Sequence, residues 1–213
     1  MSSDPGRRGL LIIFEGIDGT GKSTQVRLLS EALRGAGCEV VTTFEPTDGP
    51  FGKKIRALFS NRASLTREEE LALFMDDRRW HVNELIAPAL AAGKVVVCDR
   101  YYFSTAAYQG AAGLDPERII ADNETFAPVP DCVLLLEAPV KLGRRRIEES
   151  RQESPNDFEK EEGLQKVSAV FAAIKREYIH RIDASQSIEA VGQAVWERVS
   201  PLVAGLRGKD APC

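Results

Sequence analysis

Gly16-Ile17-Asp18-Gly19-Thr20-Gly21-Lys22-Ser23 fits the pattern G-x-x-x-x-G-K-[ST] at every fixed position and leaves this chain few folds to adopt. The pattern works only where a buried strand turns sharply into a helix, because its backbone N–H groups must converge on phosphate oxygens at the positive end of that helix. Both flanks comply: the apolar run Leu10–Phe14 precedes it, and a stretch of helical period, Lys22–Arg34, follows. The glycines permit the tight turn. Lys22 is placed to bridge the outer phosphates of a nucleotide, and the Ser23 hydroxyl to take a magnesium position. Asp18 is out of character in such a loop, since a carboxylate aimed at a triphosphate is repelled by it. It is expected to point outward, where it can accept a hydrogen bond from a sugar hydroxyl of a second substrate.

Three more apolar runs, Glu39–Thr43, Lys94–Cys98 and Cys132–Leu136, read as buried strands, and a weaker one lies at Arg181–Asp183. Helical periodicity fills Leu65–Ala92, Pro116–Phe126, Val140–Glu149, Gly163–His180 and Ile188–Leu206. Strands alternating with helices imply an α/β fold, a five-stranded parallel sheet with helices on both faces, of the P-loop NTPase type. A chain of 213 residues, 43% apolar, can bury one such core. The expected organisation is a single domain over 10–204 with flexible tails at 1–9 and 205–213. The charged stretch Glu148 to Glu162, which contains Pro155, reads as a mobile loop between two helices, a lid at about 148–162.

A net charge of −4 offers no basic field for a nucleic-acid backbone or an anionic membrane surface, and no apolar run is long enough for export or insertion. Cys38, Cys98, Cys132 and Cys213 lie far apart, as reduced thiols of a cytoplasmic protein do. His81 and His180 have no metal spacing and receive no role.

Asp99-Arg100 closes the strand Lys94–Cys98, at the carboxyl edge of the sheet where open α/β folds bind ligands. Asp99 is expected near a magnesium ion and Arg100 on an acceptor phosphate, whose geometry its fork matches. Thr66-Arg67-Glu68-Glu69 reads as a capping box, followed by an apolar stripe of Leu71, Phe74, Met75, Val82 and Leu85. Arg78 falls inside that stripe and must either pair with a buried carboxylate or line a cleft.

These residues resemble the thymidylate kinase family from Leu10 to about Val199. The resemblance rests on Phe14-Glu15-Gly16 through Lys22-Ser23-Thr24, on Asp99-Arg100-Tyr101-Tyr102-Phe103-Ser104-Thr105-Ala106-Ala107-Tyr108-Gln109, and on Pro130-Asp131; Glu45-Pro46 and Ile182-Asp183-Ala184-Ser185 fall in family order. It implies transfer of the γ-phosphate of ATP to dTMP with Mg2+, giving dTDP and ADP. It further implies that Gly16 to Thr24 bind ATP with Arg145 packed on adenine, and that Asp18 holds the deoxyribose. Phe74 would stack on thymine, Arg78 and Thr105 meet the base edge, and Tyr108 crowd the sugar against a ribose hydroxyl. A homodimer packed through helices is implied as well. Two positions depart from the family pattern: Phe44 stands where an arginine usually precedes Glu-Pro, and Asp157 where the lid carries one. Lys53 and Arg151 are the candidates to supply the missing charge, with Arg151 as the catalytic lid arginine. The rival readings are a kinase of another nucleotide or deoxynucleoside and a low-activity nucleotide-binding homologue.

Overall fold

The computed structural model describes residues 9–58, 65–151 and 161–207. Five parallel strands, β1 (Leu10–Glu15), β2 (Val40–Phe44), β3 (Val95–Asp99), β4 (Cys132–Glu137) and β5 (Ile179–Asp183), form one sheet in the order β2-β3-β1-β4-β5. The alternation of each strand divides the core. Leu11, Ile13, Val96, Cys98, Val133 and Leu135 face one side, while Ile12, Phe14, Val95, Val97 and Leu134 face the other. The second side is covered by α1 (Lys22–Gly35) and α9 (Ile188–Arg207), the first by helices from the middle of the chain. β5 reads weakly in the sequence because among the described residues it is an edge strand that pairs only with β4, which lets it carry His180 and Arg181.

Strand register positions the site. Phe14 aligns with Asp99, and Asp99 with Phe44, so the loop after β1, the Arg100 turn after β3 and Glu45 after β2 leave the sheet at one level. β1 lies between β3 and β4, and the crossovers on its two sides run in opposite directions, which opens a crevice at its carboxyl end.

The long helix expected over Leu65–Ala92 is three pieces: α3 (Arg67–His81), a π-helical turn (Val82–Ile86) and α4 (Ala87–Ala91). The Thr66–Glu69 capping box is present. Pro88 has no N–H to give one turn back, and the wider turn, with Ala87 N–H on the Val82 carbonyl, absorbs the mismatch. Two helices were not expected. The first, α2 (Pro50–Leu58), is short, and α5 (Tyr102–Ala111) is buried on nearly every side and so shows no amphipathic period. α6 (Pro116–Glu124) falls where expected. The helix expected over Gly163–His180 is α8 (Glu161–Ala173), and it stops short because β5 already begins at Ile179. α7 (Val140–Arg151) extends to Arg151, so this residue ends a helix rather than sitting in the loop. The centre of the expected lid, with Asp157, and most of both expected tails lie outside the described residues, although α9 continues to Arg207.

Candidate active site

The loop between β1 and α1 is built as its sequence requires. Gly16, Gly19 and Gly21 all adopt positive φ, and a Cβ on Gly19 would stand 2.1 Å from the Gly143 carbonyl oxygen. Lys22 is folded back over the loop, donating to the carbonyls of Gly16 at 3.0 Å and Ile17 at 2.9 Å. Burial, reinforced by the nearby Arg100 charge, lowers its pKa to about 8 against the pull of Asp18, Asp99 and Glu15. A cation held in this condition gains most from an incoming anion. Ser23 Oγ donates to Asp99 Oδ2 at 2.6 Å, which brings a hydroxyl and a carboxylate oxygen to one point beside the loop.

The neighbouring residue faces the other way. Arg100 adopts φ 71°, strained for a residue with a Cβ, and the turn aims its guanidinium at Asp18 Oδ1 (2.7 Å) and Ser104 Oγ (2.8 Å). Asp18 therefore points out of the phosphate nest, and its second oxygen accepts from Tyr108 Oη at 3.1 Å. Burial works against its ionisation, but Arg100 and Lys22 hold the carboxyl well below the ordinary range.

Glu15 braces this turn and was given no role from sequence. Fully buried, it accepts from Tyr101 N at 2.9 Å and from Ser104 N at 3.0 Å, with Ser104 Oγ on its other oxygen. Burial outweighs these bonds and the Arg100 charge, and raises its pKa from 4.5 to about 7. A raised folded-state value means stability that is complete below pH 4.5 and lost as pH rises through 7, about 3 kcal/mol in all. Glutamine reproduces the neutral carboxyl, its oxygen accepting the two backbone N–H groups and its amide donating to Ser104. Glu15→Gln should therefore be more stable than wild type at pH 8 and lose that advantage at pH 5. Chemical denaturation at both values tests this; an equal difference at both would mean that Glu15 stays ionised.

On α3 the buried face is polar: Asp77, Arg78 and His81, with Phe74 half-buried one turn before Arg78. Of the two fates open to Arg78, the buried pair is found. Its Nε and Nη2 both donate to Glu45 Oε2, Nη1 donates to Asn123 at 2.7 Å and Nη2 to Thr105 at 3.1 Å. Burial alone would raise the Glu45 carboxyl, but Arg78 and His81 hold it below the ordinary value. Gln109, one turn beyond Thr105, is 1% exposed, and neither of its amide atoms has a hydrogen-bond partner among the described residues. An unpaired buried amide costs about 1–3 kcal/mol, so Gln109, which received no role from the sequence, is a side chain in want of a polar partner.

A cavity of about 800 Å3 runs along the phosphate loop. Asp18, Arg100, Phe44 and Glu45 line one part of it, and Arg146, Ala184, Gln186 and Ile188 another. Arg78, Thr105 and Tyr108 do not line it but join its wall through Glu45 and Asp18. The Arg145 side chain is 68% exposed, with Glu149 at 3.7 Å, while its neighbour Arg146 lines the cavity and donates to the Ala184 carbonyl at 2.9 Å. Phe44 stands 45% exposed on the wall. Lys53 is exposed on α2, and on the same helix Arg56, not singled out before, donates to the Pro46 carbonyl and to Asp48.

A phosphate-binding loop after β1, with Asp99 at the end of β3 bonded to Ser23 and Arg100 just beyond it bonded to Asp18, marks a protein of the P-loop class. A family model described as Thymidylate kinase matches residues 14–195. A thymidylate kinase of Desulfotalea psychrophila is 55% identical over 203 residues, covering 95% of this chain and 98% of the relative. One of Akkermansia muciniphila is 48% identical over 201 residues, covering 94% and 96%, and one of Xanthomonas campestris is 46% identical over 183 residues, covering 86% and 79%. The chain belongs to the thymidylate kinase family.

Proposed function

We propose that ATP lays its phosphates on Gly16, Ile17, Asp18, Gly19, Thr20, Gly21, Lys22, Ser23 and Thr24, and that dTMP sits against Asp18, Phe74, Arg78, Arg100, Thr105 and Tyr108. The chain is an ATP-dependent nucleotide kinase that converts dTMP and ATP to dTDP and ADP. The pairing of Asp99 with Ser23 and of Arg100 with Asp18 carries the residue assignment, because two adjacent residues then serve donor and acceptor from one strand end.

The acceptor phosphate is largely a dianion at neutral pH, since its second ionisation falls near pH 6, so no strong base is required. The work left to the protein is in-line alignment and charge neutralisation. Lys22 would exchange its two carbonyl partners for donor phosphate oxygens, and Arg100 would divide its fork between Asp18 and the acceptor phosphate. The hydroxyl of Ser23 and the carboxylate of Asp99 are hard oxygen donors that suit Mg2+, which keeps most of its coordination for water and phosphate. Bound there, the ion would neutralise charge developing between the phosphates. Arg151, at the end of α7, is the candidate to reach the transferring group, and Arg145 is the candidate to pack on adenine, with Arg146 beside it on the cavity wall. Gln109 joins Arg78 and Thr105 as a donor and acceptor for the base edge.

The reading extends to a cytoplasmic homodimer. Burial keeps the Cys98 and Cys132 thiols protonated, the latter with a pKa pushed up to about 12, and among the described residues no helix is long and apolar enough to cross a membrane.

A panel of monophosphates with magnesium-ATP, read as ADP release, tests the acceptor assignment. Cytidylate and guanylate would leave the buried amide and guanidinium unpaired, so both should fall about a hundredfold or more below thymidylate in kcat/KM. Deoxyuridylate lacks one methyl group, worth about 1–3 kcal/mol, and should fall less far. Equal efficiency on every base would refute this acceptor site and leave the fold untouched.

A further inference from the structure

Three residues of α3 hold the end of β2 and the connection after it. The Asp77 carboxylate accepts from Thr47 N at 2.8 Å and Thr47 Oγ at 2.6 Å, Arg78 grips Glu45, and His81 lies 1% exposed with Nδ1 2.9 Å from Glu45 Oε1 and Nε2 2.7 Å from Thr43 Oγ. An ionised Glu45 can only accept, so Nδ1 carries a proton toward it, and Nε2 shares a hydrogen bond with the Thr43 hydroxyl.

Arg78 has five N–H donors. Four are spent on Glu45 (twice), Asn123 and Thr105, which among the described residues leaves one on Nη1. The direction of that last donor follows from the plane of the guanidinium, which two of the four bonds tie to Glu45 Oε2. The carboxylate is oriented in turn by whatever holds Oε1, and the side-chain partner of that oxygen is His81. We propose that His81 is a positioning residue for thymidylate: held between Thr43 and Glu45, it locks the carboxylate that aims Arg78 at the acceptor. The proposal rests on the reading that Arg78 faces the acceptor.

Two conservative variants separate this from a packing role. Asparagine sets its amide nitrogen near the place of Nδ1 and keeps the bond to Glu45, whereas glutamine reaches toward the place of Nε2 and keeps only the bond to Thr43. Both remove the ring. His81→Gln should raise KM for thymidylate about tenfold or more, the usual effect of losing a buried hydrogen bond to a charged group, with kcat and KM for ATP little changed. His81→Asn should stay within about threefold of wild type. Equal impairment by the two variants, or a matching rise in KM for ATP, would overturn the positioning role. Arg78→Lys tests the underlying reading separately: no change in KM for thymidylate removes Arg78 from the acceptor site, whereas a large rise with Asn and Gln alike at 81 removes His81 alone. Should the His81 variants not fold, Thr43→Val keeps the ring but frees Nε2. It should raise the same constant about threefold, and an unchanged constant would overturn the proposal.

Discussion

Lys22→Ala is expected to cut turnover by about three orders of magnitude or more while leaving the fold intact. Lys22 is 6% exposed and, among the described residues, its ammonium bonds only two carbonyls of its own loop, so the protein carries a buried cation with no hydrogen-bonded carboxylate there. Removing it costs the folded state little; with its pKa lowered to about 8, the charge is already disfavoured there. The transferring phosphoryl group loses far more, since a preformed charge in a desolvated nest needs no reorganisation as the reaction proceeds. A melting temperature equal to or above that of wild type, with turnover nearly abolished, is the expected pair of results. Near-normal turnover would remove Lys22 from the mechanism.

The parts of this site legible in the sequence were those in which chemistry is fixed by spacing along the chain. The phosphate loop is one run of eight residues, and Asp99-Arg100 sits where a strand must end. What could not be read depends on partners remote in sequence. The stripe Leu71, Phe74 and Met75 promised an apolar face on α3, yet the fully buried residues are Asp77, Arg78 and His81, whose partners Thr47, Glu45 and Asn123 lie 30 or more residues away. His81, dismissed for want of metal spacing, is buried as a hydrogen-bonding group instead. Arg145 and Arg146 are equally basic neighbours about 100° apart on α7, and only the fold decides which faces the cleft. α5 escaped notice for the opposite reason: a helix packed on nearly all sides has no pattern to detect.

Arg100→Ala should lower kcat/KM for thymidylate by about a thousandfold, because Arg100 supplies a forked donor to the acceptor phosphate and neutralises Asp18 beside it. Arg100→Lys should recover only part of that loss: a single ammonium cannot reach Asp18 and Ser104 together and also present a flat edge to phosphate. The backbone separates charge from strain. At φ 71° an alanine keeps the strain of the left-handed region and glycine does not, so Arg100→Gly should be more stable than Arg100→Ala by about 1 kcal/mol and just as inactive. Either variant strands the Asp18 carboxylate, whose depressed pKa depends on Arg100. Adding Asp18→Asn to Arg100→Ala should therefore restore thermal stability without restoring turnover. Recovered turnover in the double variant would show that Arg100 acts only by holding Asp18, and would move the acceptor phosphate to a different cation.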